Sequence, residues 1–306
     1  MEAMRLALLA TALLLTAAAP ASAVVEIHSH RGGPLVNGKP AQPEDAQPAF
    51  EYGHSIGTDV VELDSKLSSD RVPFVLHDAT LDRTTDCTGE IGEKTAAELA
   101  ACHVDTIGTD SKITAVPGAQ VPIPKLADVL AWARAEGVRL NLEIKNQPTD
   151  PDYDGSPAFA RAILDAVAAS GIPKDWVLIQ SFWPPNLDEA KAAGFRTSYL
   201  SLAQTNSQAI EFARSRGYEV VSPAWPVSSN PKDYVDRAHA AGLEVVPYTF
   251  NEENDVREAL DAGVDAVITN DVPVAQRVIY GVDCERARRV EAARVADLAA
   301  ARRARG

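Results

Sequence analysis

Charged side chains two residues apart end two of the hydrophobic runs in this sequence. Glu62 and Asp64 end one hydrophobic run, and Glu143 precedes Lys145 at the end of another. Residues two apart on a strand point to the same face, so three carboxylates converge if the two runs are neighbouring strands. A hard divalent cation held by oxygen ligands, Ca²⁺ or Mg²⁺, would relieve their mutual repulsion. The alternative, a structural cluster balanced by Arg31 and Lys145, is costly to bury.

Two histidines end extended segments close to this cluster. His30 ends the first hydrophobic run of the mature chain, and His77 ends a short extended piece after the second. Imidazole takes up and releases a proton near neutral pH, so the pair is a candidate acid and base. We expect His28 to point away from His30. It is left out together with the remaining histidines, His54, His103 and His239.

Fixed positive charge follows two of the same strands. Arg31 and Lys145 would supply a guanidinium fork and an ammonium group at one mouth of the fold, as binding of a phosphate diester requires. The predicted substrate is therefore an anion. Together the residues predict metal-assisted phosphoryl transfer, in which positive charge neutralises the charge that develops on phosphate oxygens.

The elements that would position these residues alternate regularly along the chain. Hydrophobic runs of four to seven residues, rich in Val and Ile, alternate with amphipathic stretches of ten to fifteen, which is typical of βα units on a parallel sheet. Eight strands are predicted, at 24–30, 59–64, 138–145, 176–182, 196–200, 219–222, 243–250 and 265–269. Eight helices are predicted between and after them, at 43–55, 124–136, 156–170, 185–193, 207–216, 231–241, 252–262 and 272–280.

This alternation predicts an α/β fold, a (β/α)₈ TIM barrel. A doubly wound sheet would usually carry a GxGxxG turn after its first strand, and that motif is absent from the sequence. Reactive groups of such barrels stand at the C-terminal ends of the strands, where His30, Glu62 and Glu143 are expected. The irregular stretch 80–121 is predicted to be a small insertion after the second strand.

Composition and charge narrow the class of function. The chain has 306 residues, of which 46% are hydrophobic and 24% charged, as in ordinary globular proteins. Lys and Arg number 29 against 43 Asp and Glu, a net charge of −14. Such a charge repels polyanions, which argues against nucleic acid as a partner. Protein partners cannot be assigned from the sequence.

The N-terminus resembles a secretory signal. Arg5 precedes the apolar run 6–19, and residues 20–23 supply a small-residue cleavage site. We expect residues 1–23 to be a signal peptide and the mature chain to begin near Val24. The protein would then be secreted or periplasmic, without stable membrane insertion, since the run 6–19 is too short to span a bilayer and no comparable run follows it.

Export permits disulfides, and the sequence has three cysteines. Cys87 and Cys102 flank one loop-plus-helix stretch and are the favoured pair. Cys284 would then be free or intermolecular. It begins the segment 284–306, which holds seven Arg against three acidic residues and is predicted to be a solvated basic helical tail after a barrel spanning 24–283.

In their order along the chain, these motifs closely resemble the glycerophosphodiester phosphodiesterase family. The family's HRG motif appears at 30–32, its proline–glutamate helix start at 43–44 and its ExD motif at 62–64. Its HD motif and following RTT run appear at 77–78 and 83–85, and its ExK motif at 143–145. Residues 180–182, 248–249 and 269–270 echo its later strands.

The resemblance implies a barrel that hydrolyses glycerophosphodiesters to an alcohol and glycerol 3-phosphate. His30 and His77 then match the acid and base, and Arg31 and Lys145 match phosphate contacts. Glu62, Asp64 and Glu143 match the ligands of one divalent cation, and Glu44 matches a position that joins the metal shell in many members. The chain departs from the family at Asp45 and Ala46, which follow Glu44 in place of the usual Asn and Thr, and at Arg71, which replaces a glycine.

Two other functions remain open from the sequence. A related barrel lyase of the phospholipase D type would use the same groups but release a cyclic phosphate, and it would need an exposed apolar docking loop, for which the segments at Trp183 and Trp225 are candidates. A non-catalytic extracellular binding protein predicts loss of a histidine or carboxylate, and none of the main ones is missing.

Overall fold

The computed structural model describes residues 25–109, 112–118, 121–203 and 205–281. The predicted signal peptide, Cys284 and the basic tail lie outside the described residues. Within those ranges, eight parallel strands form a nearly closed barrel, and the (β/α)₈ prediction is confirmed. The barrel strands are β1 Glu26–Ser29, β2 Val60–Leu67, β3 Arg139–Ile144, β4 Val177–Ser181, β5 Arg196–Ser201, β6 Val220–Pro223, β7 Glu244–Val245 and β8 Ala266–Thr269.

The strands pair in the order β7-β6-β5-β4-β3-β2-β1-β8. Strand β7 is shorter than the predicted 243–250 because Pro247 cannot donate a ladder hydrogen bond. The chain beyond it still reaches β8, since Ile268 N donates to Pro247 O and Phe250 N donates to Ile268 O. These bonds join the two edges of the sheet.

Eight helices follow the strands among the described residues and pack their apolar faces on the outside of the barrel. They are α1 Gln47–Ser55, α2 Leu126–Glu136, α3 Ala158–Ser170, α4 Pro184–Ala192, α5 Asn206–Arg216, α6 Pro231–Ala240, α7 Glu253–Ala262 and α8 Val272–Tyr280. Helix α1 begins four residues later than predicted because Asp45 has a left-handed backbone, with φ at 53°, that cannot be part of a right-handed helix.

The insertion between β2 and α2 lies beside the barrel and has a small hydrophobic core of its own. Strand Pro73–Val75 pairs antiparallel with β2, and short strands at His103–Val104, Thr106–Thr109, Lys112–Ala115 and Val121–Pro122 form two small hairpin-like ladders. Its core includes Phe74, Leu81, Ile91 and Leu99, all fully buried. The insertion therefore folds as a compact addition next to the end of β2. It carries His77.

The predicted disulfide joins Cys87 and Cys102, with Cα atoms 5.6 Å apart and a sequence separation of 15. Cys102 packs in the core of the insertion. We expect the double variant Cys87→Ala/Cys102→Ala to lower the free energy of unfolding by about 3 kcal/mol, since the cross-link restricts the unfolded chain. Urea unfolding of the two proteins measures this difference. A loss below about 0.5 kcal/mol, the range of neutral surface changes, would contradict it.

Candidate functional site

A cavity of about 330 Å³ opens at the C-terminal ends of the barrel strands. One side of its lining is charged and the other is apolar or uncharged. The charged side is formed by His30, Arg31, Glu62, His77, Glu143 and Lys145. The other side is formed by Gln180, Phe182, Leu200, Tyr248, Thr249 and Ile268. Six of the eight predicted site residues therefore line one cavity.

The turn after β1 brings its charged residues to the cavity by an unusual backbone path. Arg31 has a left-handed backbone with φ at 50°, and Gly32 follows with φ at 87°. A Cβ on Gly32 would lie 2.6 Å from the Cβ of Ala49, so only glycine lets this turn pack against α1. The turn directs the Arg31 backbone N–H at Glu62 Oε2, 2.7 Å away.

Glu62, Asp64 and Glu143 form a buried cluster of three carboxylates, as the strand spacing predicts. Strands β2 and β3 are in register, with Glu143 opposite Asp64, and each residue offers an oxygen within 4.8 Å of the others. Neither carboxylate oxygen of Asp64 accepts a hydrogen bond from the described residues. Because the buried oxygens of Asp64 lack hydrogen-bond donors and lie beside two further carboxylates, this cluster suits a hard cation, Ca²⁺ or Mg²⁺.

The protonation of this group reflects its crowding. Burial and the charge of Asp64 raise the pKa of Glu62 well above its ordinary value. Burial raises the pKa of Glu143 to about 7, although Lys145 opposes the rise. Burial also disfavours ionisation of Asp64, but Lys145 and the other neighbouring positive charges outweigh it and lower the pKa. Protons thus compensate part of the charge that a divalent cation would neutralise.

Glu44 lies apart from this carboxylate cluster and is paired with arginines. Arg31 Nη1 donates to Glu44 Oε1 at 2.9 Å. Arg83 donates to both oxygens, at 2.6 Å to Oε1 and 3.1 Å to Oε2. The same Arg31 approaches Asp64 Oδ2 through Nε at 3.3 Å. Arg31 is therefore held between two acidic residues, Glu44 and Asp64, and the role of Glu44 as a metal ligand stays a prediction.

Asp45 is a further acidic residue at the site that the sequence did not single out. Its Oδ1 accepts a hydrogen bond from the Asp64 backbone N–H at 3.2 Å, and Oδ2 has no hydrogen-bond partner among the described residues. Burial and the charge of Asp64 raise its pKa well above the ordinary value. Its departure from the family pattern is the one sequence signal that could have identified it.

His30 is oriented by the asparagine that directly follows the last strand of the barrel. Its Nδ1 lies 2.6 Å from Asn270 Oδ1, and Asn270 Nδ2 donates to Asn251 Oδ1 at 2.9 Å. The second bond leaves Asn270 Oδ1 facing His30, so the proton of neutral His30 lies on Nδ1 and its Nε2 is a free base. Burial and Arg31 lower the pKa of His30 to about 4. His30 is therefore neutral at pH 7.

His77 is oriented by the residue that follows it. Its Nδ1 lies 2.6 Å from Asp78 Oδ1, and Arg83 Nε donates to Asp78 Oδ2 at 2.6 Å. Nδ1 again carries the proton, which leaves Nε2 to exchange protons. Burial, Lys145 and Arg31 lower the pKa of His77, whereas Asp64 and Asp78 raise it. The orienting roles of Asp78 and Asn270 were not predicted, although both residues belong to motifs noted in the sequence.

His28 was wrongly expected to point away from His30. It is buried inside the barrel, where its Nδ1 lies 3.3 Å from Asn141 Nδ2. Alternate residues of β1 share a face, so the two-residue interval places His28 on the inward side, below His30.

Comparisons with known proteins find the same family and fold. The model of the glycerophosphoryl diester phosphodiesterase family matches residues 30–274. A glycerophosphodiester phosphodiesterase from Bacillus altitudinis is 27% identical over 257 residues, covering 81% of this chain and 95% of the relative. Among solved structures, a putative glycerophosphoryl diester phosphodiesterase from Silicibacter pomeroyi is 25% identical with a TM-score of 0.71, covering 84% of this chain and 93% of that one.

A phosphodiesterase from Oleispira antarctica, solved in complex with the product sn-glycerol-3-phosphate, has the same fold. It is 24% identical, with a TM-score of 0.67 and coverage of 85% of this chain and 97% of that one. Fold and family comparisons thus agree over nearly all of the described residues.

The pKa of His30 provides a direct test of the site. We expect His30 to titrate near pH 4 in metal-free protein, and Asn270→Asp to raise its pKa by at least one unit, because a carboxylate stabilises the imidazolium. Titration of the imidazole ¹⁵N resonances measures both values. The pKa of His77 is the internal control, since its partner Asp78 is unchanged. Titration of wild-type His30 near pH 6.5 would contradict the expected lowering of its pKa by burial and by Arg31.

Proposed function

The chain belongs to the glycerophosphoryl diester phosphodiesterase family, and we propose that it hydrolyses glycerophosphodiesters to an alcohol and glycerol 3-phosphate. Its membership makes it a phosphoric diester hydrolase. The observation that carries the proposal is the placement of His30 and His77, each with a free Nε2, in one cavity with Arg31 and Lys145. These groups provide the proton transfer and positive charge that cleavage of a phosphate diester needs.

The phosphate would bind between Arg31 and Lys145. Burial opposes the charge of Lys145, but Glu143 and Asp64 raise its pKa, so it stays protonated. Both cations lower the pKa of His77 in the free protein. A bound phosphate anion offsets their charge and favours the imidazolium form of His77. Substrate binding would thus prepare His77 as an acid, while His30 stays a neutral base.

Hydrolysis adds water across a P–O bond. Nε2 of His30 would take a proton from the attacking water as its oxygen bonds to phosphorus, and Nε2 of His77 would give its proton to the departing alcohol oxygen. Glu62, Asp64 and Glu143 would hold one divalent cation beside the phosphate. When bound, that cation supplies positive charge against the charge that develops on the phosphate oxygens.

Glu44 would join these ligands only by giving up its arginine partners. Its two oxygens already accept from three guanidinium nitrogens, so we propose that it keeps Arg31 in place for the phosphate. Its role as a fourth ligand remains a prediction from the family resemblance.

We further propose that the protein is exported. The disulfide between Cys87 and Cys102 suits an oxidising compartment, and the N-terminal sequence has the order of a signal peptide. Among the described residues, no helix is long and apolar enough to cross a membrane.

The histidines test the mechanism. We expect His30→Ala and His77→Ala each to lower kcat on glycerophosphocholine by at least about 10², the low end of a general acid or base contribution. A p-nitrophenyl phosphodiester has a leaving group that needs little protonation, so it should restore kcat of His77→Ala but not of His30→Ala. Retention of more than about a third of kcat by both variants would refute the assignment.

Phosphorus NMR of the wild-type products should show open glycerol 3-phosphate, and a cyclic phosphate would indicate the lyase instead.

Removal of metal tests the role of the carboxylate cluster as a cation site. We expect chelation to abolish activity and Ca²⁺ or Mg²⁺ to restore it. Because the pKa values of Glu62 and Glu143 are raised, cation binding at pH 7 should release protons, which the buffer dependence of the calorimetric enthalpy measures.

The matched variants for this experiment are Glu62→Gln and Glu44→Gln. Glu62→Gln should weaken cation binding by more than about tenfold, since it removes a charged ligand, and Glu44→Gln should change it by less than about threefold. Full activity of the wild type in excess chelator, without bound metal, would overturn the proposed cation site. A large loss in Glu44→Gln would instead make Glu44 a fourth ligand.

A further inference from the structure

A row of polar side chains runs along the inside of the barrel, on the N-terminal side of the carboxylate cluster. It begins at Glu26 at the N-terminal end of β1 and continues through His28, Asn141 and Gln180 to Glu62. The three middle residues are buried to at least 97%. None of them has a part in the proton transfers proposed above. Buried polar groups in a barrel interior are costly unless they are paired, so their presence calls for a reason.

The contacts at the Glu62 end of this row restrict the orientation of the Glu62 side chain. Gln180 Nε2 donates to Glu62 Oε1 at 2.7 Å, while the Arg31 backbone N–H holds Oε2. Asn141 Nδ2 in turn donates to Gln180 Oε1 at 3.1 Å. Both oxygens of Glu62 therefore have a directed donor, and these two contacts hold its carboxyl group in one plane.

The acceptors at both ends determine which way each amide faces. As a cation ligand Glu62 is ionised and only accepts hydrogen bonds, so Gln180 must then present its nitrogen to Glu62 and its oxygen to Asn141. Asn141 must then donate to that oxygen. Reversing Asn141 would set its oxygen against Gln180 Oε1, two acceptors in contact. Its nitrogen therefore also faces His28.

The lower contacts select one tautomer of His28. Nδ1 faces a donor, Asn141 Nδ2 at 3.3 Å, so Nδ1 is unprotonated and the ring proton is on Nε2. Nε2 lies 3.7 Å from Glu26 Oε2. Burial opposes the charge of Glu26, but the nearby His28 and the pairing with Arg139 outweigh it and lower the pKa of Glu26 to about 2, so Glu26 stays ionised. The ionised Glu26, at the N-terminal end of β1, thus favours the same tautomer of His28, whose Nδ1 accepts from Asn141.

We propose that Gln180, Asn141 and His28 are positioning residues that set the orientation of Glu62 for cation binding from within the barrel. The inference rests on the proposed cation site. Gln180 acts on Glu62 directly, Asn141 acts through Gln180, and His28 acts through Asn141. Outer-shell partners of metal ligands commonly change metal affinity by 10–100-fold when removed.

Calorimetric titration of metal-free protein with Ca²⁺ or Mg²⁺ alone tests this order. We expect Gln180→Met and Asn141→Leu, which keep the side-chain volume but remove the hydrogen bonds, each to raise the cation Kd by about 10-fold or more. Asn141→Leu in the Gln180→Met background should add less than about threefold, because residues acting through one contact are not additive. Additive effects of the two variants would overturn the proposed order of action.

Two further variants separate positioning from packing. His28→Asn keeps an acceptor near the place of Nδ1 and should leave Kd within about threefold of the wild type, whereas His28→Leu should raise it by about tenfold. Ser222→Ala is the matched control, since it removes a buried 2.7 Å contact with Ser198 elsewhere in the same sheet and should leave Kd unchanged. If Asn141→Leu fails to fold, the two His28 variants still decide the question.

The outcomes distinguish this inference from the proposed function. A wild type that binds no cation would remove the cation site itself. A wild type that binds, with Gln180→Met and His28→Leu binding equally well, would leave the enzyme proposal intact and refute the positioning role. Loss of affinity in Ser222→Ala equal to that in His28→Leu would show a general packing effect and would also refute it.

Discussion

The burial of five carboxylates at one end of the barrel is the constraint on which the site depends. Glu44, Asp45, Glu62, Asp64 and Glu143 are all at most 7% exposed. Ionised carboxylates in a poorly solvated interior repel one another strongly, and each loses its hydration. Two responses are visible in the structure. Some acids are paired with cations, and burial together with neighbouring negative charge raises the pKa values of others above their ordinary range.

Arg31 is the hub of the pairing. Its backbone N–H binds Glu62, its Nη1 binds Glu44, and its Nε approaches Asp64. One residue can reach all three because the turn after β1 is left-handed and because Gly32 lets it pack closely on α1. The backbone geometry of this turn and the electrostatics of the site are therefore one feature of the fold.

Each part of the barrel contributes a different kind of group to the cavity. Strands β2 and β3 supply the carboxylates, the insertion supplies His77 with its partners Asp78 and Arg83, and the last strand is followed by Asn270. The opposite wall, with Phe182, Leu200, Tyr248 and Ile268, is largely apolar. This division suits a substrate with a charged phosphate and less polar carbon groups, since each part meets a surface of its own polarity.

The sequence by itself determined the order of strands and helices, the barrel, and the three carboxylates, because these follow from local hydrophobic periodicity and the two-residue repeat of a strand. Only the tertiary structure decided which distant groups meet. Asn270 orients His30 across 240 positions, Gln180 binds Glu62 across 118, and Arg83 binds Glu44 across 39. Such contacts depend on how far neighbouring strands are offset when the sheet closes, and on how the insertion packs against it. The spacing of residues along one strand determines neither the strand offset nor the packing of the insertion.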